Sequence, residues 1–189
     1  MKTKILIAPG LGGSEPEHWQ SIWEKENPEY RRIKQNNWDY PVCNDWVASF
    51  EKEVLHSIND IVIVAHSLAC ITLAHWAKHT KHTIKGALLV APPDVERKDF
   101  PERASGFSPI PLHKLPFKSI LIASTNDQYS TIERSEQLAN AWGSRFVNVG
   151  NKGHINCASN LASWGEGKLH LNKLLNDITN SGLIGVSGQ

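Results

Sequence analysis

The chain has 189 residues, 40% of them hydrophobic and 21% charged, with a formal net charge of +1. That length fits one domain, and the composition is that of a chain able to bury a core, which excludes a disordered or low-complexity protein. Lys and Arg are scattered rather than gathered in a stripe, so no nucleic-acid partner is expected; no apolar run approaches the about 20 residues that cross a bilayer, so no membrane association is expected either.

The first apolar run, Lys4 to Ala8, is too short for the core of a signal peptide and reads as a strand, in a cytoplasmic protein. A glycine loop, Pro9 to Ser14, follows, and Trp19 to Glu26 has the three- and four-residue spacing of a helix. Arg31 to Lys34 predicts a second strand, and Asp45 to His56 a second helix capped by Asn44 or Asp45. Ile61 to Ala65 is a continuous Ile/Val run, as a strand buried on both faces should be. It passes without a spacer into a helix over Leu68 to Lys78. Gly86 to Ala91 is the next strand, and Pro92 to Pro116, with six prolines, is an irregular connection long enough to wall a pocket and too short for a large helical cap. Strand Ser119 to Ser124, helix Thr131 to Trp142 with Ser130 or Thr131 as its cap, strand Arg145 to Val149 and helix Gly167 to Ile178 complete the pattern. Alternating strands and helices predict a six-stranded, mostly parallel sheet between two helical layers, an α/β/α sandwich. The domain is expected over 1–180, with 181–189 as a flexible tail.

Ligands of such sheets bind beyond the carboxyl ends of the strands, so reactive residues that directly follow strands come first. Ser67 stands between a strand and a helix in Ala65-His66-Ser67-Leu68-Ala69, the setting of a nucleophile elbow, with alanine at both of the usual glycine positions. A serine needs a base to take its proton as it attacks. His154 follows the last strand in a glycine-containing loop, and Asp127 follows the fifth strand, where a carboxylate can orient the imidazole. Asp94 also follows a strand and is the rival acid, while the bland reading of Asn126-Asp127 is an Asx turn. The order Ser, Asp, His along the chain is that of α/β-hydrolases. Leu68 and Leu11 are the candidate oxyanion donors through their backbone N–H groups, and Gly10, Gly12, His18 and Trp19 the candidate substrate pocket. His66 points into the fold on this reading and is structural.

No cofactor or metal is expected. Glu15 stands where the third glycine of a G-x-G-x-x-G loop would be, and no P-loop occurs. His75, His79 and His82 have helical spacing but lack the glutamate of H-E-x-x-H, so they read as surface histidines. Cys43, Cys70 and Cys157 form no C-x-x-C pair and read as free thiols.

Over Lys4 to Ile178 the sequence resembles the small serine hydrolase family of retinoblastoma-binding protein 9 and its bacterial relatives, within the α/β-hydrolases. The resemblance rests on Pro9-Gly10 with Ser14, His18-Trp19 with Trp23, the elbow Ala65-His66-Ser67-Leu68, Ala91-Pro92-Pro93-Asp94, Asn126-Asp127, and Gly153-His154-Ile155-Asn156 with Trp164. It implies a minimal α/β-hydrolase fold, the triad Ser67, Asp127 and His154, and activity on small esters or peptide-like amides, as a carboxylesterase-like or aminopeptidase-like enzyme. Two departures stand out. Ala69 replaces the glycine common after the elbow serine, and the nearest approach to L-x-C-x-E, Leu68-Ala69-Cys70-Ile71-Thr72, lacks the acid, so no retinoblastoma-type partner is expected. The alternatives are a thioesterase or lactonase with the same triad, or a non-catalytic binding protein on a hydrolase scaffold.

Overall fold

The computed structural model describes residues 3–56 and 60–184. Strands β1 (Lys4–Ala8), β2 (Arg31–Arg32), β3 (Ile61–His66), β4 (Gly86–Val90), β5 (Lys118–Ala123) and β6 (Arg145–Asn148) form one sheet in the order β2-β1-β3-β4-β5-β6, with every neighbouring pair parallel. The helices are α1 (Trp19–Glu26), α2 (Cys43–Leu55), α3 (Leu68–His79), α4 (Ile132–Trp142) and α5 (Gly165–Ile184). This is the three-layer α/β/α arrangement expected from the strand–helix alternation, in the minimal form that the family resemblance implies.

The sheet is buried on both faces because successive side chains of each strand point opposite ways. Ile5, Ile7, Val62, Val64, Leu88 and Val90 pack against α1 and α5 through Trp19, Trp23, Leu171 and Leu174. Leu6, Ile63, Ala65, Leu89 and Leu121 pack against α2, α3 and α4 through Phe50, Ile71, Trp76 and Trp142. The link from β4 to β5 contains no helix; Phe107, Ile110 and Leu115 of the proline-rich segment cover the sheet in its place.

Boundaries differ from the sequence reading where tertiary bonds intervene. Helix α2 starts earlier than expected, with Val42 at its N-cap and no side-chain cap bond, so neither Asn44 nor Asp45 caps it. Its first N–H, that of Cys43, donates instead to Ser105 O at 2.9 Å in the proline-rich segment. Thr131 does cap α4, its side chain accepting from Arg134 N, and Gly143 in the left-handed region ends that helix. Helix α5 runs to Ile184, so the segment expected as a tail begins helical; residues 185–189 lie outside the described residues.

Two features place the site. Strand order reverses at β1, whose neighbours β2 and β3 lead off in opposite directions, so a crevice opens where the β1 and β3 carboxyl ends lie side by side in the register Ala8↔Ala65. The glycine loop after β1 and the turn after β3 both emerge there.

Close packing of α5 on the sheet depends on Gly86. A Cβ there would sit 2.8 Å from Ile178 Cδ1 and 2.9 Å from Lys118 O. The Ile178 tip can turn aside, but the carbonyl belongs to the adjacent strand. Gly86→Ala is therefore expected to lower unfolding stability in urea by about 1–3 kcal/mol, with the denaturant slope unchanged.

Candidate active site

Ser67 sits at the turn between β3 and α3 with φ 53° and ψ −127°, a region that a residue bearing a Cβ occupies only when its surroundings force it. The forcing contacts are visible. Ser67 N donates to Val90 O at 2.9 Å, and Cys70 N donates to Ser67 O at 2.9 Å. Ala65 and Ala69, in the two usual glycine positions, are fully buried, so their methyl groups are absorbed by the core beside α2 and α3. Gly10 passes directly against this turn; a Cβ on it would lie 2.7 Å from Ser67 Cβ.

The loop after β6 carries His154 back over the sheet. His154 Nε2 lies 2.8 Å from Ser67 Oγ, and His154 Nδ1 lies 3.0 and 2.9 Å from the two carboxylate oxygens of Asp127. The His154 and Asp127 side chains are only 6% and 3% exposed, which keeps water from competing for this pairing. Asp127 also forms the local turn of its loop, because its Oδ1 accepts Tyr129 N at 2.9 Å; the Asx-turn reading and the His154 contact hold together. Asp94, the rival acid, faces elsewhere. Its carboxylate lies 3.3 Å from Arg134 Nε and accepts Glu96 N.

His66, read from the sequence as structural, and residues given no role there hold this geometry. His66 Nε2 lies 3.0 Å from the His154 carbonyl and donates to it, fixing the backbone of His154. Asn126 Oδ1 accepts Gly153 N at 2.7 Å, and Ser124 Oγ accepts Lys152 N at 2.8 Å, so the loop that carries Asp127 clasps the loop that carries His154. The Tyr129 ring meets the His154 ring edge-on, with centroids 4.5 Å apart. The one sequence signal for any of these was adjacency to Asp127 or Ser67.

A cavity of about 290 Å³ opens above Ser67. Leu11, Gly12, His18 and Leu68 line it, joined by Tyr129, Cys157 and, from the proline-rich segment, Pro93, Phe100, Pro101 and Arg103. No hydrogen bond among the described residues uses the N–H of Leu11 or of Leu68. Two of the expected pocket residues are not on its wall. Trp19 is 1% exposed, packed against Trp23, Trp164 and His66, and donates its indole N–H to Ile155 O at 2.8 Å. An indole of that size gains more from the core than from a wetted wall, and here it also steadies the residue next to His154. Gly10 is likewise buried beneath the elbow, where its missing side chain admits the turn rather than a ligand.

The sequence profile of the serine hydrolase family matches residues 5–173. The chain belongs to that family. No curated protein matches it. Among solved structures, a protein described as a YdeN-like hydrolase from Pectobacterium atrosepticum is 28% identical, with a TM-score of 0.83 over 94% of this chain and 92% of that one. The YdeN product of Bacillus subtilis (19% identical, TM-score 0.74, 93% and 100% covered) and an α/β superfamily hydrolase from Oenococcus oeni (12%, 0.69, 95% and 94%) share the fold. This serine hydrolase is thus a small α/β-hydrolase.

Burial sets the charge state of the groups around the site. It holds the His66 imidazole neutral, with His18 and His154 adding to the effect. Burial first, then Arg32 and His154, pushes the His18 imidazole down to about 3. The one thiol on the cavity wall, Cys157, is pushed up to about 11 by burial and by the Glu15 carboxylate, which leaves it protonated and a weak nucleophile near neutral pH. Among the described residues no cluster of three or more His, Cys, Asp or Glu side chains is placed to hold a metal ion; His75 is engaged with Phe107 O at 3.0 Å.

Histidines buried neutral in the fold become free to protonate on unfolding, at a pKa near 6.5. Below that pH the unfolded chain binds more protons, so stability falls as pH drops, until the folded-state pKa is reached. Urea unfolding between pH 5.5 and 4 should therefore show this loss, and His18→Asn should reduce its slope by about 1.4 kcal/mol per pH unit relative to wild type.

Proposed function

We propose that this serine hydrolase cleaves small ester or amide substrates through an acyl-enzyme on Ser67. The observation that carries the reading is the 2.8 Å contact between Ser67 Oγ and His154 Nε2, with the far imidazole nitrogen held by Asp127. As Ser67 Oγ attacks the substrate carbonyl carbon, its proton passes to His154 Nε2, and Asp127 stabilises the imidazolium through Nδ1–H. The negative charge moves to the carbonyl oxygen, where the N–H groups of Leu11 and Leu68 receive it; such a donor contributes about 2.7–4 kcal/mol in related acyl transfers. His154 then returns the proton to the leaving alcohol or amine. Water attacks the acyl-enzyme by the same proton relay and releases the acid.

The cavity's size and lining support substrates with a short acyl or alcohol portion. Pro93, Phe100, Pro101 and Leu11 supply apolar contact, and the proline-rich segment forms a rim rather than a cap.

Ser67→Ala is expected to lower kcat/KM on p-nitrophenyl acetate by at least about 10³-fold and to abolish labelling by a fluorophosphonate probe. Asp127→Asn should lower it by about 10³–10⁴-fold, and Asp94→Asn should leave it within about twofold. Unchanged turnover in Ser67→Ala would overturn the mechanism, and a large loss in Asp94→Asn with none in Asp127→Asn would reassign the acid.

A further inference from the structure

His18 has one nitrogen whose use the fold explains and one whose use it does not. Nδ1 accepts the Gln20 N–H at 3.1 Å, which makes the residue the N-cap of α1. Capping alone does not call for an imidazole, since Asn, Asp, Ser and Thr perform it with a smaller side chain. His18 is 3% exposed, and it is among the residues lining the cavity over Ser67. Because Nδ1 presents its lone pair to Gln20 and burial keeps the ring uncharged, the proton resides on Nε2. Nε2 is buried and has no acceptor among the described residues. A buried donor left in that state is uncommon and points to a function.

Its surroundings hold the donor in place. The His66 ring packs edge-on against His18 with centroids 4.7 Å apart, and the Trp19 ring lies 5.3 Å away. The cap bond fixes the imidazole from the other side. Leu11 and Gly12 of the glycine loop share the cavity wall with it. An N–H fixed in this way needs no reorganisation to meet a ligand oxygen.

We propose that the Nε2–H of His18 is a substrate-binding donor, hydrogen-bonding an acceptor oxygen of the ester or amide seated over Ser67. The inference rests on Ser67 being the nucleophile. It adds a side-chain contact to the backbone donors of Leu11 and Leu68, and it favours substrates that carry an oxygen on the wall formed by the glycine loop and α1.

Two substitutions separate the two nitrogens. In His18→Asn the amide oxygen can still cap α1 but the shorter side chain brings no N–H to the Nε2 position; in His18→Gln the longer amide can present an N–H near the Nε2 position while the cap is lost. Fluorophosphonate titration of the full chain gives the concentration of reactive serine, and kcat/KM on p-nitrophenyl acetate is then expressed per reactive site. His18→Asn should lose at least about tenfold in kcat/KM with a Tm within a few degrees of wild type at pH 7, and His18→Gln should show a lower Tm but retain most of the activity. Wild-type kcat/KM in His18→Asn would overturn the proposal, because turnover would then not use the N–H. So would a folded His18→Gln as slow as His18→Asn, because the bulk of the ring rather than its proton would be what matters. Wild-type protein that neither labels nor turns over would instead remove the Ser67 reading, and this inference with it.

Discussion

The contact between Ser67 Oγ and His154 Nε2 spans 87 positions of sequence, and most of the upper face of the molecule is arranged around it. Strands β3 and β6 are separated by β4 and β5 in the sheet, so their ends stand about 14 Å apart at the usual strand spacing. No imidazole reaches that far. The loop after β6 must fold back toward β3, and a loop crossing open space would not stay there without anchors. His66 holds the carbonyl of His154, Trp19 holds the carbonyl of Ile155, and Asn126 and Ser124 hold the N–H groups of Gly153 and Lys152. The bonds come from β3, from α1 and from the loop after β5, so the position of His154 is over-determined by separate parts of the fold rather than by its own loop.

The serine is held from below in the same way. Its backbone conformation is disfavoured for any residue with a side chain, at a cost of about 1–3 kcal/mol, and it persists because β4 and the first turn of α3 bond both of its peptide groups. Steric room is equally specific. Gly10 at the end of β1 lies so close that a methyl group there would collide with Ser67 itself, while the alanines at 65 and 69 point into the helical layer and are tolerated.

Around the site, burial works as chemistry as much as packing. His18 and His66 are kept neutral and can act only as fixed hydrogen-bonding groups, which leaves His154 as the histidine bonded to both a serine and a carboxylate. The tryptophans Trp19, Trp23 and Trp164 form a continuous aromatic layer under these histidines, and two of the indoles donate to backbone carbonyls of the segment after β6. That segment is consequently tied to α1 as well as to the sheet.

Local sequence was enough to predict the layered fold, the elbow at Ser67, and the positions of Asp127 and His154 at strand ends, because strand periodicity, a strand–turn–helix junction and chain order are properties of contiguous residues. It was not enough to choose between Asp127 and Asp94, since both follow strands and only the packing of α4 puts Arg134 against Asp94. Nor did it assign Trp19 to the core, start α2 at Cys43, or reveal that His66, Ser124 and Asn126 hold the segment around His154, because each outcome depends on a partner dozens of residues away. A carboxylate's role is set by which cation or imidazole comes within about 3 Å of it, and that distance exists only once the sheet has brought separate loops to one edge.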